Sequence, residues 1–416
     1  MKIVITNLYS AANRGDAAIV KGMKNALSEY FPDSEFVVLS KHYKVAQEIT
    51  GIESHPPLIR RLKFFGYVRL VYLLAWAYFY GKGIKLPTFG KGDRIKSYLE
   101  ADLILSVGGG YLNDNYPVAM IRWLFEFYFG RLLGKKVVIY ANSVGPFNRF
   151  WLRPIVRFVF NRLDLITLRD PQSKDALDAI GVVSSRIHIT ADAAWCMKTL
   201  SREEGLRLLK KEIPDLGYAS LRISISVRHW EFYSEDSSDA HERYIMAFAA
   251  LVEHLVEERN ADVLFLSTCT AIGGYRHDDR AVAHEIIRNI RSSSKGRVIE
   301  REYLPEELSS IYANMDLHIG TRMHSNILAM LSETPIAAIQ YEPKTEGMMN
   351  SFGLSNWLIN IEEINPRRLI EIVDKAIEKK DLIKSQIVKN LPELKNKSKD
   401  NARLVYALLN VGAEQR

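Results

Sequence analysis

The residue that most invites chemistry is His324, in the run Gly320-Thr321-Arg322-Met323-His324-Ser325. An imidazole titrates at about 6.5 when unperturbed, which makes it the natural side chain to hand over a proton at neutral pH. The run follows an apolar strand pattern and opens a helical one, so an arginine, a histidine and helix-start backbone donors fall together. A lone histidine is usually structural; one beside an arginine at such a junction is less usually so. In Gln340-Tyr341-Glu342-Pro343-Lys344, Lys344 would supply a point charge for a phosphate, the plainer alternative being a solvated loop lysine. In Leu168-Arg169-Asp170, the Arg169 guanidinium can fork onto a carboxylate or phosphate. The alternative is a surface pair of Arg169 with Asp170, worth little.

Three further runs offer backbone rather than side chains. Asn13-Arg14-Gly15-Asp16 follows the first strand pattern and opens the first helix, where N–H groups attract anions. Asp16 either caps that helix or faces a ligand as a base. Ser106-Val107-Gly108-Gly109-Gly110 allows close backbone approach to a ligand, or only a tight turn. It matches neither the dinucleotide nor the Walker pattern. Asn142-Ser143-Val144-Gly145-Pro146 is a loop of the same kind.

All six runs sit after a strand pattern, and these strands alternate with helices. The first half reads as strands at Lys2–Leu8, Glu35–Ser40, Asp102–Val107, Lys136–Ala141, Leu163–Leu168 and Ile187–Thr190, with a helix over Asp16–Tyr30. The pattern restarts with strands at Arg222–Val227, Asp262–Ser267, Val298–Glu300, Leu317–Ile319 and Ile336–Gln340. Helices are expected at Ser201–Glu212, His241–Arg259, Asp278–Ile290, Pro305–Asn314, Ser325–Leu331 and Pro366–Lys380. Repeated strand–helix–strand order means parallel sheets with helices on both faces. The expected fold class is α/β, two Rossmann-like doubly wound domains facing across a cleft in a GT-B-like architecture. Ligands then belong at the carboxyl ends of the strands. The expected division is residues 1–200, residues 201–385 with the Arg-x-His run, and C-terminal helices over 386–416. The boundary falls near 195–220, at a Pro-Asp-Leu-Gly turn.

One segment stands apart. Within an aromatic, apolar stretch over 60–85, Phe64–Tyr80 holds a single charge, Arg69, flanked by Arg60, Arg61, Lys63, Lys82 and Lys85. As a helix it covers about 25 Å at ~1.5 Å per residue, short of the ~30 Å of a bilayer core. Its Tyr and Trp content suits a membrane interface. Peripheral membrane contact and burial as a core helix are evenly matched. In Tyr116–Leu133, Arg122 and Glu126 at i,i+4 spacing suggest a solvated face on a packed helix.

Composition narrows the partners. With 47% hydrophobic and 25% charged residues, the 416-residue chain is ordinary globular protein. A net charge of +7 suits an anionic small molecule or lipid surface, and without a dense basic block nucleic acid is not expected. The two cysteines, Cys196 and Cys269, form no metal-binding spacing and fit a reducing compartment. A cytoplasmic protein, at the inner face of the membrane if its acceptor is lipid-linked, is expected.

Taken in order, Asn-x-Gly-Asp (13–16), Gly-Gly-Gly (108–110), Ser-Val-Gly-Pro (143–146), Arg169-Asp170 with Ser173, Arg322-x-His324 and Tyr341-x-x-Lys344 resemble the polysaccharide pyruvyl transferase family. The resemblance runs from about residue 3 to about 355, with nothing to match over 53–95. It implies transfer of the pyruvyl group of phosphoenolpyruvate to a sugar, or a lipid-linked saccharide, as a ketal with release of phosphate. It implies that Arg169, His324 and Lys344 handle phosphoenolpyruvate, with His324 as acid. Arg322 and Asp16 lie in its motifs, Asp16 as the candidate base. Asn13, Gly15, Gly109 and Gly110 complete the expected substrate-binding set. Phosphoenolpyruvate is a co-substrate; no metal or other cofactor is expected. A nucleotide-sugar glycosyltransferase, with Glu342 on a ribose, and a non-catalytic binder of anionic glycans are the competing functions.

Overall fold

A computed structural model describes residues 1–59, 64–84, 92–214, 221–229, 237–291 and 296–410. Arg60, Arg61, Lys63 and Lys85, and Asp215 to Gly217 of the expected boundary turn, lie outside them. The chain forms two compact units. The first comprises Met1–Ala11, Asp16–Met197 and Lys395–Arg416; the second comprises Ala12–Gly15 and Lys198–Leu394.

The first unit runs β1 (Lys2–Leu8), α1 (Arg14–Tyr30), β2 (Glu35–Ser40), α2 (Tyr43–Thr50), β3 (Glu53–His55), α3 (Phe64–Gly81), α4 (Gly92–Glu100), β4 (Leu103–Ser106), β5 (Gly109–Leu112), α5 (Pro117–Leu132), β6 (Lys136–Val144), α6 (Leu152–Phe160), β7 (Leu165–Leu168), α7 (Pro171–Asp178) and β8 (Ile187–Ile189). Its sheet is parallel, in the order β3-β2-β1-β4-β6-β7-β8, with β5 added to β6. The long strands are buried along nearly their whole length, as expected where helices cover both faces. Connections from β3 through β8 step across the sheet in one direction, those from β1 to β3 in the other. Right-handed crossovers therefore put α3, α5 and α6 on one face, and α3 and α6 both pack against α5.

The second unit runs α8 (Arg202–Glu212), β9 (Leu221–Ser226), α9 (Ser237–Glu257), β10 (Ala261–Phe265), α10 (Asp279–Arg288), β11 (Arg297–Val298), α11 (Pro305–Tyr312), β12 (Leu317–Gly320), α12 (Met323–Leu331), β13 (Ile336–Gln340), α13 (Pro343–Ser351), β14 (Leu358–Asn360), α14 (Pro366–Glu378) and the start of α15 (Lys380–Asn410), which from Lys395 on belongs to the first unit. Its sheet, β11-β10-β9-β12-β13-β14, is also parallel. Helix starts follow local chemistry. Ser201 caps α8 by accepting from the Glu204 N–H, and Asn365 caps α14 ahead of Pro366.

Several expectations need correction. The terminal helices expected from 386 are one helix, α15, which starts at Lys380 and contains Pro392. Short α2, α6, α7 and α13 were not foreseen. Gly109 and Gly110 are the first residues of strand β5, not a loop. Of the segment expected over 64–80, the side chains of 67–80 are part buried and part exposed. Leu73, Trp76 and Ala77 enter the core, with Trp76 stacked on Phe129 at 6.3 Å between ring centroids. Val68, Val71 and Tyr78 on the opposite side are exposed. Among the described residues no helix is long and apolar enough to cross a membrane. The solvated face expected from Arg122 and Glu126 is also absent, because Glu126 is buried and accepts from Thr6 and Tyr98.

Candidate active site

In the second unit the loop after β12 is fastened to the sheet from below. Gly320 ends the strand, and a Cβ there would lie 2.0 Å from Asn326 Oδ1. Asn326 Nδ2 instead donates to the Gly320 carbonyl at 3.1 Å. The following turn rests on a buried polar chain. His318 Nδ1 meets Ser224 Oγ at 2.9 Å and its Nε2 meets Ser325 Oγ at 3.0 Å. Ser325 Oγ also lies 2.6 Å from Ser226 Oγ and donates to the Arg322 carbonyl at 2.7 Å. Tyr244 and Thr321 join hydroxyls at 2.8 Å. Burial pushes the His318 imidazole down to about 3, so it is neutral at physiological pH. Sequence analysis missed His318, because inside a strand pattern it looks like any core position.

His324 lies in the first turn of α12, and the first-helix motif supplies its neighbour. A Cβ on Gly15 would come within 2.6 Å of the imidazole Cγ and Nδ1, so only glycine lets this segment lie against the ring. The segment is held in place. Asn13 makes an antiparallel bridge to Cys269, and its Oδ1 accepts the Gly15 N–H at 3.0 Å. The Arg14 N–H donates to the Thr268 carbonyl at 2.7 Å. The buried Arg14 guanidinium donates to the Tyr303 and Ala12 carbonyls and pairs with Glu302 at 3.1 Å. Its pKa is lowered, burial outweighing the Glu302 charge. Asp16 is half-buried in the first turn of α1, and the carboxamide of Asn13 makes the capping contact that Asp16 was a candidate for.

The basic residues of this unit divide by partner. Arg322 forks onto Asp279, Nη2 to Oδ1 at 2.6 Å and Nε to Oδ2 at 3.2 Å, and Asp279 also accepts the Cys269 N–H at 3.1 Å. Burial disfavours the Arg322 charge, but Asp279 overrides it and keeps the guanidinium protonated. Lys344 pairs with Glu342. Arg228, just past β9, differs: its guanidinium carbon stands 4.0 Å over the Tyr341 ring, and among the described residues it meets no carboxylate. Lys344 Nζ lies 5.9 Å from the same ring. Strands β9, β12 and β13 are neighbours in parallel register, with Ser226, Gly320 and Ala338 side by side. Their carboxyl ends thus bring forward Arg228, the Arg322–His324 turn and Tyr341–Lys344 at one edge. Sequence analysis missed Arg228, although the same strand-end rule applied to β9 would have found it.

The first unit's strand ends are tied up more tightly. Gly109 has φ 135°, a conformation that favours glycine, and Gly110 is exposed. Asn142 Nδ2 donates to Ser106 Oγ at 3.0 Å and the Val107 carbonyl at 2.9 Å. Arg169 does not pair with Asp170. Its Nη1 pairs with Asp192 and its Nε donates to Ser143 Oγ at 2.7 Å, with the Arg169 and Asp192 side chains only 5% and 6% exposed. Asp170 caps α7 instead, accepting the Ser173 N–H at 2.8 Å and hydroxyl at 2.6 Å.

Two parallel α/β units with polar strand-end loops define a GT-B-like fold, and solved structures agree. The putative UDP-N-acetylglucosamine 2-epimerase of Listeria monocytogenes aligns over 100% of this chain and 97% of its own, with a TM-score of 0.62 at 12% identity. HepE of Anabaena in complex with UDP-glucose aligns over 100% of both chains, with a TM-score of 0.56 at 12% identity. At such identities the likeness is one of fold alone. The chain belongs to the polysaccharide pyruvyl transferase family, whose model matches residues 13–343. The amylovoran biosynthesis protein AmsJ of Erwinia amylovora is 28% identical over 410 residues, 94% of this chain and 95% of that protein.

Proposed function

We propose that this protein transfers the pyruvyl group of phosphoenolpyruvate to a sugar of a polysaccharide or its precursor as a cyclic ketal, releasing phosphate. The observation that carries this is His324, packed on Gly15 above a buried, neutral hydrogen-bond chain at the carboxyl edge of β12. In this reading protonated His324 delivers its proton to the methylene carbon of phosphoenolpyruvate. The adjacent carbon becomes oxocarbenium-like and takes a bond from one sugar hydroxyl. Its carbon–oxygen bond to phosphate breaks, and a second hydroxyl of the same sugar closes the ring. Of the two hydroxyl protons, one restores the histidine and one leaves with phosphate. Asp16 is the candidate base for a hydroxyl.

The substrate is anionic at both ends, and charge not already neutralised binds it best. Arg228 is therefore added to the expected set, beside Lys344. Arg322 and Arg169, facing Asp279 and Asp192, act mainly by shaping their loops. Asn13 and Gly15 support His324. No metal or further cofactor enters this mechanism. The protein works in the cytoplasm, at the inner membrane face where the acceptor is lipid-linked. A nucleotide-sugar transferase would need Glu342 for a ribose, and that carboxylate faces Lys344.

The deciding experiment measures phosphate release from phosphoenolpyruvate against a panel of sugar acceptors, with mass analysis of the product. Acceptor-dependent phosphate and a product heavier by one pyruvyl ketal are expected. Release of nucleoside diphosphate from a nucleotide sugar, without use of phosphoenolpyruvate, would overturn the reading.

A further inference from the structure

Helix α6 presents three different sides. Leu152, Val156, Val159 and Phe160 are buried in the core of the first unit. Facing outward, Trp151, Ile155 and Phe158 recur at helical spacing and are 38%, 40% and 43% exposed, with Phe150 just before them at 81%. Arg153 and Arg157 are exposed on the remaining side, with Arg149 and Arg162 at the two ends. A soluble surface gains nothing from an aromatic and aliphatic stripe of this kind, and a row of such residues beside arginines marks an interaction site.

Charge selects the partner. Residues 147–163 carry four arginines and no acid. None of the four forms an ion pair among the described residues. Arg149 and Arg153 donate to the Asp114 and Phe147 carbonyls, and Arg162 lies 3.6 Å over the Phe158 ring. A second copy of this face would bring like charges together. An anionic lipid surface would meet the arginines with headgroups and take the Trp and Phe side chains at its interface. Helix α3, on the same side of the sheet, adds an exposed stripe of Val68, Val71 and Tyr78, with Lys82 4.6 Å from the Tyr78 ring.

We infer that the outer face of α6, with Phe150, Trp151, Ile155 and Phe158 flanked by Arg153 and Arg157, docks this protein on an anionic membrane surface. The docking is peripheral, since the buried side of α6 belongs to the protein core. It does not depend on which donor the enzyme uses.

The test is co-sedimentation of the full chain with phosphatidylcholine vesicles, with and without phosphatidylglycerol. The expected result is binding to the anionic vesicles only, weakened by salt. Phe150→Ser combined with Ile155→Ser, and separately Arg153→Gln combined with Arg157→Gln, should each lower partitioning by about tenfold or more. All four side chains are exposed, and unchanged thermal melting checks that the fold is kept. Equal partitioning of the wild type into neutral and anionic vesicles would overturn the inference, as would wild-type binding by both variants. So would a dimer, seen by light scattering, that the Phe150 and Ile155 changes dissociate while vesicles go unbound. A protein inactive on phosphoenolpyruvate that still binds these vesicles would leave it standing.

Discussion

The two units carry the same device, a polar loop after a buried parallel strand, and use it differently. In the first, Arg169 is enclosed between Asp192 and Ser143, and Asp170 is turned to capping a helix. In the second, Arg322 is likewise committed to Asp279, but Arg228 faces an aromatic ring and no carboxylate among the described residues. A buried arginine with its carboxylate is nearly neutral as a pair and acts as a strut. An arginine on an aromatic face keeps its charge available to an arriving anion. Residue type is the same in each case; the partner decides the role.

Substitutions can break this contrast. The largest expected effect is that of His324→Gln, which keeps volume and a hydrogen bond but removes the acid. Turnover should fall by about 10²–10⁴ with thermal melting unchanged. Near-normal turnover in the folded variant would remove His324 from the chemistry. Arg169→Ala should act on stability first, costing about 3–5 kcal/mol in denaturant unfolding because the Asp192 carboxylate is left buried and uncompensated. A stable Arg169→Ala protein with weakened phosphoenolpyruvate binding would restore Arg169 as a direct ligand.

Arg228→Ala should do the reverse, leaving melting unchanged and weakening phosphoenolpyruvate by about 1.5–3 kcal/mol in calorimetry. Lys344→Ala should have a smaller effect, because Glu342 already offsets its charge. Equal affinity in the wild type and Arg228→Ala would move the anion site elsewhere. The buried support beneath His324 gives a pH signature. His318 is held down to about 3 in the folded state, against about 6.5 when unfolded. Below that unfolded value the unfolded chain takes the proton first, so this contribution is complete above pH ~6.5 and is lost on acidification towards 3. The slope is about 1.4 kcal/mol per pH unit at most, and His318→Gln should flatten the difference between pH 7 and pH 5. Parallel pH dependence in wild type and variant would count against a buried neutral His318.

Much of the fold was legible because it rests on local patterns. Strands covered on both faces read as short continuous apolar runs, and Ile336–Gln340 falls where that rule puts it. Helix α6 was not legible because Trp151, Ile155 and Phe158 on its exposed surface are as apolar as the residues it buries, leaving Arg153 and Arg157 only a narrow polar strip between the two. The same blending left 64–80 undecided, and packing against α5 is what turned Trp76 inward.

The sequence by itself determined the alternation that yields two parallel sheets, the positions of the strand-end loops, and the kinds of side chain those loops carry. These follow from spacing and side-chain chemistry over a few residues. Only the tertiary structure decided which charges are neutralised. Asp192 is 23 residues from Arg169, and Asp279 is 43 from Arg322. Nothing local links such pairs; they meet because separate connections return to the same sheet edge. The same holds for Gly15 and His324, brought together although one opens α1 and the other α12. Ion pairing and close packing act over a few ångströms in space, whatever the distance along the chain.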